Sequence, residues 1–126
     1  MSEPDNLLFT NDHEWVRVEG NTAVIGITDY AQEALGDVVF VQLPTPHDVV
    51  GANSTLSEVE STKSVSDIYA PVSGTVVKVN EILSTNPELI NTSPYGEGWI
   101  AVLEMSDPHE LENLLSQEEY QRMIDK

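Results

Sequence analysis

The chain has no cysteine. It therefore forms no disulfide, binds no metal through thiolate and has no cysteine nucleophile. Any sulfur redox chemistry it takes part in must come from an attached group. Positive charge is also scarce: five lysines and arginines stand against 22 aspartates and glutamates, a formal charge of -17. Nucleic-acid affinity comes largely from cations that neutralise phosphates, and anionic membranes attract basic segments, so neither is an expected partner. The acid favours solubility and salt-sensitive encounters with partners that present basic patches. No apolar run approaches the roughly 18–20 residues that span a bilayer. Met1-Ser2-Glu3-Pro4-Asp5-Asn6 lacks the basic and apolar regions of a secretory signal and the arginines of a transit peptide, so a cytoplasmic location is expected. His13, His47 and His109 are scattered without ligand spacing, and no metal site is expected.

The 126 residues are about one domain's worth and enough to bury a core without staples. A single domain over 1–126 is expected, with a core over about 7–105 and C-terminal helices over about 107–125. Short apolar runs separated by turn residues predict strands at 7–10, 14–18, 22–28, 38–43, 54–60, 64–69, 74–80 and 99–105. The second and third make a hairpin around Glu19-Gly20-Asn21, with apolar residues at alternate positions. Thr28-Asp29 caps a short helix near residues 29–35 that Gly36 ends. Asp107-Pro108-His109-Glu110 offers an N-cap and a proline at the first helical position, and Ser116-Gln117-Glu118-Glu119 reads as a capping box. Leu111, Leu114, Leu115, Met123 and Ile124 are placed to pack these helices back onto the sheets. The fold class is mainly β.

Lysine occurs three times, as Lys63, Lys78 and Lys126. Lys126 is the last residue, and Lys78 sits in an alternating strand as an outward-facing residue. Lys63 lies in the polar stretch Glu60-Ser61-Thr62-Lys63-Ser64 between Val59 and Val65, where two strands would meet in an exposed hairpin. No Asn-Gly or Asp-Gly marks a two-residue turn there. An exposed lysine at a rigid tip suits acylation, because a modifying enzyme reaches the amine without unfolding the domain. With an intrinsic pKa near ~10.4 the amine is protonated at neutral pH, so the enzyme must supply both an activated acyl donor and deprotonation. From the residues alone, the commoner arrangement is a solvated lysine loosely paired with Glu60 or Asp67, worth ~0–1 kcal/mol.

The surroundings of Lys63 carry more information. The run Val59-Glu60-Ser61-Thr62-Lys63-Ser64-Val65-Ser66-Asp67-Ile68-Tyr69-Ala70-Pro71-Val72-Ser73-Gly74 resembles the lipoyl-attachment region of the glycine cleavage system H-protein family. So do His13-Glu14-Trp15-Val16, the run from Gly26 to Asp37, Pro87-Glu88-Leu89-Ile90-Asn91 and Ser93-Pro94-Tyr95-Gly96-Glu97-Gly98-Trp99. The match runs in order from about Leu7 to about Tyr120. The family usually flanks the lysine with valine and alanine; here Thr62 and Ser64 stand there, both small enough for the attaching enzyme to accept the site.

The resemblance implies a flattened two-sheet barrel of the biotinyl/lipoyl carrier type, the barrel-sandwich hybrid, with helices at the C-terminus. It implies a non-catalytic carrier, expected to be a monomer, with lipoate attached covalently to Lys63. Its partners would be the lipoyl-attaching enzyme, glycine decarboxylase, aminomethyltransferase and dihydrolipoyl dehydrogenase. The carrier would take the aminomethyl group of glycine from the first of the three glycine enzymes to the second, then present dihydrolipoate to the third. Tethering raises the effective concentration of the group at each enzyme. The family is thought to fold the loaded arm into a surface cleft, and Glu14 and Asp67 match acidic positions that would face its cationic amine. Ordinary surface acids are the alternative for both.

Among other readings, a biotin carrier normally flanks its lysine with methionines, unlike Thr62 and Ser64. A lipoyl domain of a 2-oxo acid dehydrogenase would lack the long N-terminal block and the 93–99 loop. Some H-like proteins relay lipoyl groups to other enzymes, a role that sequence does not separate from glycine cleavage. An unmodified acidic interaction module differs by a bare Lys63. A hydrolase built on paired carboxylates is rejected, since no nucleophile or base stands out.

Overall fold

A computed structural model describes residues 7–125. Nine strands form two antiparallel sheets. They are β1 (Leu7–Phe9), β2 (Glu14–Glu19), β3 (Thr22–Ile27), β4 (Val38–Gln42), β5 (Val49–Val50), β6 (Thr55–Ser61), β7 (Val65–Tyr69), β8 (Gly74–Val79) and β9 (Ala101–Met105). The larger sheet has the order β1-β2-β3-β9-β8-β5 and the smaller β4-β6-β7. Val16, Ala23, Ile25 and Leu103 of the larger sheet share one buried cluster with Val41, Val59 and Ile68 of the smaller. The two sheets thus sandwich the core. They are not joined into one closed ladder, so the expected flattened barrel is realised as a sandwich of six strands on three.

The alternating burial expected of the β2–β3 hairpin fails at β3, where every residue from Ala23 to Ile27 is buried. The cause is a second apolar cluster on the outer face of the larger sheet, built from Phe9, Trp15, Val24, Tyr95 and Tyr120. Trp15 lies across its cross-strand partner Gly26, where an added Cβ would come within 2.6 Å of the indole. Its Nε1–H donates to the carbonyl of Pro94 at 2.8 Å, which draws the 94–99 loop over the sheet. Trp99 is half-buried at the margin of this cluster.

Helix α1 (Asp29–Leu35) is capped as expected: Thr28 Oγ1 accepts from the Ala31 N–H, and the Gly36 N–H closes on Gln32. At the C-terminus the expected pair of helices divides by type. Pro108–Asn113 is a 3₁₀ helix capped by Asp107, whereas α3 (Gln117–Ile124) is α-helical with the full Ser116–Glu119 capping box. Leu111 and Leu114 pack on the inner core and Leu115, Met123 and Ile124 on the outer cluster. Three short elements had no expectation attached: β5, a 3₁₀ turn at Glu81–Ser84, and α2 (Leu89–Thr92). None of the helices among the described residues is long and apolar enough to cross a membrane.

Candidate functional site

Lys63 stands exposed in the three-residue connection between β6 and β7, Thr62-Lys63-Ser64. Neither Thr62 nor Lys63 has positive φ, so the turn is not of the primed kind that Asn-Gly favours. Ser61 supplies what the turn type does not. Its Oγ accepts the N–H groups of both Lys63 and Ser64, each at 3.1 Å, while its own N–H donates to the Ser64 carbonyl at 2.8 Å. A third strut comes from outside the hairpin, where the Thr62 N–H donates to the carbonyl of Asp37 at 3.0 Å.

That strut rests on the connection between α1 and β4, which is itself clasped by Asn91 of α2. Asn91 Nδ2 donates to the carbonyl of Gly36 and to Gln32 Oε1, and Oδ1 accepts the Val38 N–H, all at 2.8–2.9 Å. Gly36 has φ +84 and ψ -158, a backbone essentially restricted to glycine. The aliphatic stem of Lys63 lies against it: a Cβ on Gly36 would come within 2.9 Å of Lys63 Cε.

Beside the tip is a cleft of about 290 Å³ between α1 and β7. Ile27, Ala31, Ala34, Leu35 and Ile68 give it an apolar floor and one wall, and Asp12, His13, Ser64 and Ser66 give it a polar rim. Asp12 is shared with a second cavity of about 150 Å³, which Glu14 lines. Glu14 is buried, with 1 % of its surface exposed. Its Oε2 accepts the Tyr69 N–H at 2.7 Å and Oε1 the Thr10 hydroxyl at 3.0 Å. Burial pushes its pKa up to about 7, and the two hydrogen bonds offset only part of that.

Residues 7–126 match the family model for the glycine cleavage H-protein. The chain belongs to the glycine cleavage H-protein family. Curated family members match along the whole chain. The glycine cleavage system H protein of Anoxybacillus flavithermus is 54 % identical over all of this chain and 99 % of its own. That of Geobacillus kaustophilus is 52 % identical over all of this chain and 99 % of its own, and that of Halothermothrix orenii 48 % over all of this chain and 98 %. The crystal structure of an H protein from Mycobacterium marinum superposes with a TM-score of 0.89 at 40 % identity, covering 98 % of this chain and 99 % of that one.

Of the three residues singled out from the H-protein resemblance, Lys63 occupies the hairpin tip and Glu14 the inner cavity. Asp67 is exposed on β7, opposite Glu58 in register, and lines neither cavity. Glu14 and Asp67 are therefore in different environments, one buried and one solvated. The alternative of Glu14 as an ordinary surface acid is excluded by its burial. Sequence reasoning missed the supports: Ser61 as the turn's acceptor, Asn91 as the clasp, Asp12 on the rim and Tyr120 beneath it. Gly36 is legible in the sequence only as a helix stop. The one available signal was the Pro87–Asn91 family stretch, whose asparagine had no assigned task.

Proposed function

We propose that this chain is the lipoyl carrier of a glycine cleavage system, with lipoate in amide linkage to Lys63 Nζ. The observation that carries the reading is the exposed, braced position of Lys63 beside an apolar-floored cleft. The residues fit the group: the amine is open to an attaching enzyme, and the cleft is near the ~300 Å³ lower bound of small-ligand sites. When bound, a lipoyl group supplies a disulfide that is reduced as it takes up the aminomethyl group of glycine and is reoxidised after the methylene has passed to tetrahydrofolate.

The chain's own residues do the rest. Lys63 Nζ gives up its proton and its charge on acylation, leaving Glu58, Glu60 and Asp67 to dominate the field of the hairpin. That field favours partners with basic mouths: the lipoyl-attaching enzyme, glycine decarboxylase, aminomethyltransferase and dihydrolipoyl dehydrogenase. Phe40 and Val65, exposed on either side of Glu60 in register, add apolar contact area to the same face. The cleft excludes water from whatever Lys63 carries. A cationic amine drawn toward Glu14 would release the carboxyl proton to solvent and leave a buried ion pair. Glu14 is the better supported of the two carboxylates, and Asp67 belongs to the docking face.

Intact mass measurement of protein made with lipoate available tests the reading. One lipoyl addition is expected, mapping to Lys63 and abolished by Lys63→Arg, with Lys78 unmodified. An unmodified Lys63 under those conditions overturns it. Turnover with the three glycine enzymes separates this role from lipoyl relay. Loss of protection on Glu14→Gln, read as faster hydrolysis of the loaded form, tests the carboxylate, with Asp67→Asn expected to have no such effect.

A further inference from the structure

Part of the rim of the Lys63 cleft and its α1 wall come from segments that part at the open end of the β2–β3 hairpin. The turn between β1 and β2 contributes Asp12 and His13, and α1 contributes Ala31, Ala34 and Leu35. The last ladder pair is Glu14 with Ile27. Just beyond it the Thr28 N–H still donates to the His13 carbonyl at 3.0 Å, and then the chains diverge. Their side chains meet directly in the His13–Tyr30 ring contact and are bridged by one atom from a remote helix. Tyr120 Oη lies 2.7 Å from Thr28 Oγ1 and 2.9 Å from His13 Nδ1.

One end of this bridge is tied to the α1 wall and the other to the rim. Thr28 Oγ1 is also the N-cap acceptor of α1, so the hydroxyl that meets Tyr120 orients the helix. His13 has φ +67, a left-handed backbone that a non-glycine residue keeps only where its surroundings hold it. Its N–H donates to the Thr10 carbonyl at 3.2 Å and its carbonyl accepts from Thr28, while the ring is held by the Tyr120 contact and a ring contact with Tyr30 at 4.6 Å. Burial keeps the His13 pKa below its ordinary value, so the ring is neutral at pH 7 and Nδ1 can accept from the Tyr120 O–H while Thr28 donates to the Tyr120 oxygen. Tyr120 is itself fully buried, stacked on Phe9 at 4.7 Å, so its hydroxyl is a fixed point.

We propose that Tyr120 is a positioning residue for the Lys63 arm, its hydroxyl tying the β1–β2 turn to the start of α1 and so setting the shape of the cleft. The inference deepens the carrier reading and rests on it. It makes α3 part of the machinery that shelters the arm, although α3 lines no wall of that cleft.

The experiment compares Tyr120→Phe, which keeps the ring stacked on Phe9, with Met123→Ala, which weakens the packing of α3 and leaves the bridge intact. In the unmodified protein, Tyr120→Phe is expected to speed amide hydrogen exchange at the start of α1 and in the β1–β2 turn by roughly three- to tenfold, the scale of one hydrogen bond. Met123→Ala is expected to leave that exchange unchanged at a matched loss of Tm. In the lipoylated protein, the NMR shift changes that lipoylation causes at Ala31, Ala34 and Ser66 should shrink in Tyr120→Phe. Hydrolysis of the loaded arm should rise by a similar factor, with the rate of lipoylation unchanged. Equal effects of the two variants, or unaltered exchange in Tyr120→Phe, overturn the role of Tyr120. Absence of lipoylation in the wild type would instead overturn the carrier reading and leave the exchange result standing.

Discussion

Glu14 is the residue whose environment departs furthest from its chemistry. A carboxyl with 1 % exposure is held by two hydrogen bonds from uncharged donors, and burial takes its pKa from 4.5 to about 7. The sign of the consequence follows from linkage. Between those two values the folded state keeps a proton that the unfolded state has lost, so stability is full below about pH 4.5 and falls as the pH rises through 7. The loss amounts to about 3 kcal/mol at most. Urea unfolding from pH 5 to pH 8 is expected to show this decline in the wild type and a flatter profile in Glu14→Gln. An equal slope in both would assign the decline to other groups. Gly36 supports a second expectation. Its backbone is a glycine conformation and its missing Cβ leaves room for the Lys63 stem, so Gly36→Ala should cost about 1–3 kcal/mol and slow acylation of Lys63. Unfolding midpoints and the lipoylation rate check the two effects separately.

At the scale of elements, the sequence announced those that advertise themselves locally. The α1 cap at Thr28, the Ser116–Glu119 box and the β6–β7 hairpin around Lys63 all stand where side-chain chemistry pointed. What stayed illegible depends on contacts remote in sequence. Burial of both faces of β3 needs Pro94, Tyr95 and Tyr120 to arrive from the far end of the chain. β5 is two residues long, too short for any period to register. α2 is a single turn whose importance lies in one amide side chain. Lys63 stands out in the sequence as a candidate, but its pedestal does not, because Asn91 reaches Gln32, Gly36 and Val38 across more than fifty positions. Asn91→Ala removes three partners at once and should lower stability by about 2 kcal/mol. Hydrogen exchange should localise the loosening to the α1–β4 connection, whereas a uniform change would deny the clasp a local role.

For the whole molecule, the charge of -17 makes every encounter ionic-strength dependent. In the proposed carrier role, raising salt is expected to slow association with each glycine enzyme while leaving the maximal rate of transfer in the saturated complex unchanged, as steady-state kinetics at two salt concentrations would show. The core explains how so acidic a surface is tolerated: the inner cluster spans both sheets and the outer one adds a layer beneath α3, so cohesion does not rely on ion pairs. The described pairs that involve Arg17, His109 and Arg122 are all solvent-exposed, where such contacts are worth ~0–1 kcal/mol.

The strut from Thr62 to the Asp37 carbonyl has a geometric corollary. A hairpin fastened only through its own ladder would let its end sway, and each visiting enzyme would have to catch a moving root. With that end pinned to a neighbouring connection, the pivot is stationary in the frame of the whole body. All the wandering is then delegated to the four-carbon stem of one lysine. In the proposed carrier role, every partner would thus meet the same point of departure.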